Sequence, residues 1–415
     1  MSSVASWPDL WAAAQEVDIL SAAQGLGAKL KKQGREHIGP CPAGCAKRDG
    51  FVIDQAKGLF LCRPSGKAGN VIQMVEHIRG CSRTEAAEYL AGQERPNGRE
   101  ASDQERREAE SRRAKQSAEN ARRAAAQARL EAAKLVRDGE AVDSIIERAV
   151  PFIGSRAEDY IAARYATMPR ALTRDLRFVE DVHYWGHANN ETDEFTLVAT
   201  LPAMVALIRS LAGDIVGVHL TYLDPRSPKK WIAPWEVDLP KELRRNPSKK
   251  WRKAVERING SMIRLGAIGE TLVLGEGIET VGSYQRRGFA PEDASFGVAM
   301  SLGNLAGAAV ATIDHPEDID PRTGRPKAGL GRPPRPISNG IPDRDHLGNP
   351  GVQLPEQVKR VILLGDGDSD FHATRAALAT AARRYLAEGR EVLVHMAPQG
   401  HDFASMPHDL DASTA

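Results

Sequence analysis

The run Gly365-Asp366-Gly367-Asp368-Ser369-Asp370 follows directly on the apolar stretch Val361-Ile362-Leu363-Leu364. That stretch is short, β-branched and closed by glycine, the pattern of a strand buried inside an α/β sheet. Beyond it, Ala373 to Leu386 is rich in Ala, Leu and Arg and predicts a helix that stops near Gly389. The acids therefore fall at the carboxyl end of a strand, where open α/β sheets place their sites. Three carboxylates within five residues repel one another unless a cation neutralises them. An all-oxygen set of this kind suits a hard divalent ion such as Mg²⁺. The competing reading is an acidic turn on the surface.

A second stretch has the same form. Thr271-Leu272-Val273-Leu274 predicts another buried strand and runs into Gly275-Glu276-Gly277-Ile278-Glu279-Thr280, a carboxylate between glycines that permit close approach. A third strand candidate, Ser295 to Met300, leads into Ser301-Leu302-Gly303-Asn304. Strand and Glu, strand and small loop, strand and DxD, in that order, resemble the Toprim domain over roughly residues 268–405. That family spans bacterial replicative primases, topoisomerases and some nucleases. The resemblance implies that Glu276, Asp366 and Asp368 cooperate around one or two Mg²⁺ (or Mn²⁺) ions in phosphoryl chemistry, with Asp370 as an additional acid. Glu276 would act as metal ligand or as general base. The Pro-, Gly- and Arg-rich stretch from Asp314 to Gln357 predicts an inserted loop. Asp402, beyond the strand pattern Glu391 to His395, is placed either to assist the acids or to cap its own turn.

Length and composition set the frame. A chain of 415 residues accommodates two or three domains. With 41% hydrophobic and 27% charged residues it has an ordinary soluble balance. It lacks the run of about 18 apolar residues that a membrane helix needs, and Met1 to Asp9 lacks the layout of a secretory signal. The expectation is a cytoplasmic protein with no membrane partner. Four cysteines in such a chain point to thiols or a metal rather than a disulfide framework.

Three of these cysteines lie around a predicted hairpin. His37-Ile38-Gly39-Pro40-Cys41-Pro42-Ala43-Gly44-Cys45 precedes the strand patterns Phe51 to Asp54 and Gly58 to Cys62. Thiolates at hairpin ends can converge on one tetrahedral Zn²⁺, so Cys41, Cys45 and Cys62 are candidate ligands. The surroundings resemble the zinc-binding domain of primases: Gly-x-Cys-Pro opens the site, Gly-Leu-Phe-x-Cys closes it, and a glycine-rich turn enters a helix at Val71. The family's closing Cys-x-x-Cys is here Cys62-Arg63-Pro64-Ser65, and serine is a poor zinc ligand. His37, four residues before Cys41, is the candidate fourth ligand; the alternative is a ribbon that keeps its fold without zinc. Cys81 is expected to be a small core residue.

Residues from Pro96 to Gly139 change to Arg, Glu, Ala and Gln and predict a solvated linker helix. From Asp143 the chain turns globular again and resembles the domain that precedes Toprim in primases of phages and mobile elements. Between Arg226 and Arg264 lies an excess of about eight positive charges. Lys229, Lys230, Lys241, Lys249, Lys250 and Arg252 are interleaved there with Trp231, Trp235 and Trp251. Basic groups track a phosphate backbone and indoles stack on unpaired bases, so Lys229, Lys230, Lys249, Lys250, Arg252 and Trp251 are candidate nucleic-acid contacts. The alternative is a solvated loop whose tryptophans pack inward.

The expected fold is α/β: a zinc ribbon over 1–95, a charged helical linker over 96–142, the N-terminal part of a polymerase body over 143–265, and a Toprim domain with a Rossmann-like parallel sheet over 266–415. The resemblances imply a DNA primase that makes short RNA primers on a single-stranded DNA template from ribonucleoside triphosphates, with Mg²⁺ and Zn²⁺ as cofactors. The alternatives are a Toprim nuclease and a non-catalytic single-strand-binding replication accessory protein. No GxxxxGK[ST] phosphate loop occurs, so a separate replicative helicase would be a partner.

Overall fold

In the computed structural model, residues 7–407 and 413–414 are described, apart from 34–35, 46–49, 93–102, 166–167, 190–191, 193, 241–242 and 328–333. The chain forms two units, Met1–Arg129 and Leu130–Ala415.

The first unit opens with helices α1 (Trp7–Gln15) and α2 (Ile19–Gly25). An antiparallel sheet of consecutive strands follows: β1 (Lys31–Gln33), β2 (Glu36–Gly39), β3 (Phe51–Asp54), β4 (Leu59–Cys62) and β5 (Lys67–Gly69). Helices α3 (Val71–Arg79) and α4 (Arg83–Ala91) close it. Both of these helices carry their boundaries in the sequence. Asn70 with Gln73, and Ser82 with Glu85, form reciprocal capping boxes, and Gly80 and Gly92 end the helices in the left-handed region at φ 63° and 62°. Leu10, Phe51, Ile53, Phe60, Met74 and Val75 form the core of this unit. Helix α5 (Asp103–Arg148) then runs for 46 residues and holds the described part of the charged stretch.

The second unit is built on one mixed sheet. Its strands are β6 (Val150–Pro151), β7 (Leu176–His187), β8 (Phe195–Arg209), β9 (Ile215–Tyr222), β10 (Lys249–Lys253), β11 (Met262–Leu265), β12 (Thr271–Gly275), β13 (Ala294–Val298), β16 (Arg360–Gly365), β17 (Glu391–Met396) and β18 (Ser413–Thr414), with the hairpin β14 (Thr312–Asp314) and β15 (Pro336–Ser338) apart. The order along the sheet is β10-β9-β8-β11-β13-β12-β16-β17-β18, and β7 with β6 lies off β8. Strands β13, β12, β16 and β17 run parallel, while the β7–β11 part is antiparallel. The helices are α6 (Arg156–Tyr165), α7 (Ile278–Arg286), α8 (Leu302–Ala306) and α9 (Phe371–Ala387).

The central parallel strands β12 and β16 are largely apolar because both faces are covered. Val273, Ile362 and Leu364 pack with Ile278, Val281 and Tyr284 of α7 on one face. Leu272, Leu274, Val361 and Leu363 pack with Leu378, Ala381 and Tyr385 of α9 on the other. This is the period-two alternation of a strand between two helix layers. The segment expected as an inserted loop holds β15 and the last residue of β14, which pair with each other, and the two strand patterns at Arg177 and His183 are one strand, β7, with register shifts between Val179 and Val182 and between Tyr184 and Trp185. Among the described residues no helix is long and apolar enough to cross a membrane.

Candidate functional site

The hairpin of the first unit carries the thiols. Cys62 ends β4 and pairs with Phe51 of β3, and Cys41 lies just past β2. Sγ of Cys41, Cys45 and Cys62 and a ring nitrogen of His77 all lie within 4.8 Å of one another. His77 Nε2 is 3.3 Å from Cys41 Sγ and 3.8 Å from Cys45 Sγ. Those separations suit ligands spread tetrahedrally about one Zn²⁺ at about 2.0–2.3 Å. Burial, with the charge of Lys67, lowers the His77 pKa and keeps the ring neutral, the form that binds metal. The Phe60 ring stacks on it at 5.9 Å. These donors fit zinc.

The fourth group is thus His77 and not His37. His37 sits on β2 opposite Ile53 and is not among the converging groups. The converging group lies far from Cys41 in sequence: it arrives from α3, fifteen residues beyond Cys62. Its signal was periodicity: His77 follows the buried Val71 and Met74 at intervals of three, which turns it toward the core. Ser65, in the place of a closing cysteine, donates to the Cys62 carbonyl at 3.4 Å. Cys81 packs at the edge of the core.

In the second unit the acids gather at one edge of the parallel sheet. β12 and β16 pair in register from Thr271↔Arg360 to Leu274↔Leu363. Glu276 and Asp366 therefore leave adjacent strands at the same end. Asp366 Oδ2 accepts the Thr280 hydroxyl at 2.7 Å, while its buried Oδ1 has no partner among the described residues. Burial pushes the Asp366 carboxyl up to about 6; the Thr280 bond opposes this, and the charges of Asp368, Asp402 and Glu276 add to it. An orphaned oxygen among mutually repelling carboxylates fits a hard divalent cation. No acidic trio among the described residues is drawn as close as the thiol cluster. Gly367 is required by its neighbours: a Cβ there would lie 2.2 Å from the Pro398 carbonyl oxygen. Its N–H donates to the His401 carbonyl at 2.8 Å. Asp402 caps its own turn, accepting Ala404 and Ser405 N–H at 3.1 and 2.6 Å.

Asp370 departs from the expectation of an additional metal acid. It is the N-cap of α9, accepting Ala373 N–H at 3.0 Å, and it is engaged by His315 and Arg335 at 2.8 and 3.0 Å. Three hydrogen bonds on its two oxygens thus tie Asp370 to α9 and to the inserted segment rather than to the strand ends.

The basic stretch is divided by β10, an edge strand paired only with β9. Lys249 lies opposite Thr221, and its Nζ is 2.8 Å from Glu279 Oε2; Lys230 Nζ is 2.6 Å from Oε1 of the same carboxylate, which Tyr160 also approaches through its hydroxyl. Burial opposes ionisation of Glu279, but Lys249 and Lys230 hold its carboxyl well below the usual carboxylate range. Burial and the charge of Lys249 push Lys230 down to about 8, against the pull of Glu279, and the buried His219 beside them falls to about 3 and stays neutral. Lys230 and Lys249 are therefore inward ion-pair partners rather than open backbone contacts. Glu279, three residues past Glu276, is the group that sequence reasoning left without a role. Lys250 and Arg252 point to the opposite face. Lys250 Nζ lies 3.7 Å from the Tyr184 ring centroid, and Arg252 reaches the His183 carbonyl at 3.5 Å. Trp251 is 58% exposed, Trp231 is buried beside Tyr184 at 4.5 Å, and Lys229 is exposed. Lys241 lies outside the described residues.

Comparison with known proteins places the first unit in a class. Residues 9–106 match the CHC2 zinc finger family: the chain carries a zinc ribbon of the DNA primase type. Residues 136–264 match a family described as a domain of unknown function, DUF7146. The chain is 41% identical to a DNA primase of Clostridium acetobutylicum over 63 residues, 15% of this chain and 11% of that protein. It is 39% identical to a DNA primase of Halalkalibacterium halodurans over 77 residues, 19% of this chain and 13% of that one. The match thus spans little more than a tenth of those relatives. Among solved structures, the zinc-binding and RNA polymerase domains of Aquifex aeolicus primase align over 97% of this chain and 81% of that one at 16% identity and a TM-score of 0.34. The DnaG primase catalytic domain bound to single-stranded DNA aligns over 66% and 77% at 13% identity and a TM-score of 0.32.

Proposed function

We propose that this chain is a DNA primase that synthesises short RNA primers on single-stranded DNA. The observation that carries the reading is the pairing of β12 with β16, which brings Glu276 to the same sheet end as Asp366 and Asp368. The zinc ribbon supports it, as do the relatives described as DNA primases that match part of this chain. Asp366 and Asp368 would hold a divalent cation with Glu276 beside them, and Glu276 would alternatively take the proton of the attacking hydroxyl. A bound Mg²⁺ or Mn²⁺ would offset the charge of the phosphoryl group in flight and of the leaving pyrophosphate. A bound cation would favour the ionised form of Asp366, against the burial and the neighbouring carboxylates that raise its pKa. Glu279 fixes Lys230 and Lys249 beside Gly277, since a Cβ at that glycine would lie 4.0 Å from Lys249 Nζ. Lys229, Lys250, Arg252 and Trp251 would meet the template along the β10 edge.

The test is to incubate the purified protein with single-stranded DNA, labelled ribonucleotides and Mg²⁺. New short oligonucleotides are expected from wild type, and Asp368→Asn should lose synthesis by at least about a hundredfold while binding DNA as before. Full synthesis by Asp368→Asn would refute the assigned centre. A shortened template without new oligonucleotides would identify a nuclease, and a gel shift alone a binding module.

A further inference from the structure

The hairpin inserted between α8 and β16 reaches the acidic turn through two side chains. His315, just past β14, is fully buried. Its Nδ1 accepts Glu317 N–H at 3.2 Å and lies 3.1 Å from Arg335 Nη2, which can only donate. Two donors facing Nδ1 place the ring proton on Nε2. Nε2–H therefore donates to Asp370 Oδ1 at 2.8 Å. Arg335 Nη1 donates to Oδ2 at 3.0 Å, and Ala373 N–H to Oδ1 at 3.0 Å. Arg335 is itself held by the buried Asp318, which accepts its backbone N–H at 2.8 Å and its Nε at 3.2 Å. The hairpin is fastened farther along α9 by the Ser338 and Thr380 hydroxyls at 2.6 Å and by Arg383 Nη1 on the Gly340 carbonyl at 2.6 Å.

We propose that His315 and Arg335 are positioning residues that hold Asp370 as the anchor of α9, so that a cation at the strand ends is met by Asp366 and Asp368 and not by the third acid of the turn. The proposal rests on the reading of Asp366 and Asp368 as cation ligands. The turn is then fixed on both sides of Asp368: Thr280 and the His401 carbonyl hold Asp366 and Gly367, and the inserted hairpin holds Asp370. Three hydrogen bonds on Asp370, two of them charge-assisted or from a buried ring, would have to break for it to swing inward.

The experiment uses the full chain as His315→Ala, His315→Gln, Asp370→Asn and the His315→Ala/Asp370→Asn pair. Mn²⁺ binding by calorimetry, melting temperature, and kcat and KM for primer synthesis are measured on each. His315→Ala and Asp370→Asn should each weaken Mn²⁺ binding by about tenfold without lowering its stoichiometry, as loss of an outer support does. The pair should be no weaker than either single variant, because both remove one tether. His315→Gln, whose amide N–H can reach the Nε2 position, should recover most of the affinity and kcat. Loss of a bound Mn²⁺ in Asp370→Asn with none in His315→Ala would make Asp370 a ligand and overturn the proposal, as would fully additive losses in the pair. If wild type takes up no Mn²⁺ at all, the cation-site reading fails and takes this proposal with it. The tether then still shows in non-additive melting temperatures, so the two failures are distinguishable.

Discussion

His37 and His77 compete for one role, and their surroundings separate them. His77 Nε2 faces two thiols, whereas buried His37 Nδ1 meets no partner among the described residues and lies on a strand outside the converging group. Freshly purified wild type should hold about one zinc per chain. His77→Ala should lose it on dialysis, with affinity down at least about tenfold, and His37→Ala should keep it. Zinc retained by His77→Ala and lost from His37→Ala would reverse the assignment. The placement of Glu276 and Asp366 at one sheet end was legible because each follows a strand pattern directly. The role of Asp370 was not, since the groups that occupy it come from positions 315 and 335, inside a stretch whose local composition signals only a loop.

Elements explain the same division. Strands β12 and β16 were legible because burial on both faces leaves an apolar run that ends in glycine, and helix α9 because its Ala- and Leu-rich stretch stops just before Gly389. β8 was legible only in its second half: Ala203 to Ile208 is buried, whereas Phe195 to Thr200 lies on a long, partly exposed extension without clear alternation. The facing of β10 was not legible at all, because each residue's side depends on its register with β9. That register separates Lys249 from Lys250, and it gives Lys250 an unusual setting over Tyr184. Burial, with Arg252 beside it, pushes the Lys250 ammonium down to about 8. A depressed base is charged below its pKa and neutral above it, so a contact between Lys250 and phosphate is present at pH 7 and lost by pH 9. The slope of log affinity for single-stranded DNA against log salt should therefore flatten by up to about 0.7 between these values, one counterion contact on a single strand. In Lys250→Met the slope should change less with pH. Equal slopes for wild type at pH 7 and 9 would remove Lys250 from the interface.

At the scale of the molecule, each unit has a core of its own, and only the first contains the thiol cluster. Zinc stabilises whatever folds around it by mass action. Calorimetry of the wild type should show two transitions. A zinc-selective chelator should move one of them down by roughly 10 °C or more and leave the other within about 2 °C. A single transition that shifts as a whole would show that the units melt together.

Strand β12 has one of its two neighbours, β13, soon after it is made, and the other, β16, much later. β12 is complete at Gly275, but the strand that covers its second edge begins at Arg360. A ribosome adding about 5–20 residues per second spends on the order of ten seconds on the chain between them. Throughout that interval β12 presents a bare, wholly apolar edge that another nascent chain could pair with. The inserted hairpin and its flanking turns lengthen that exposure.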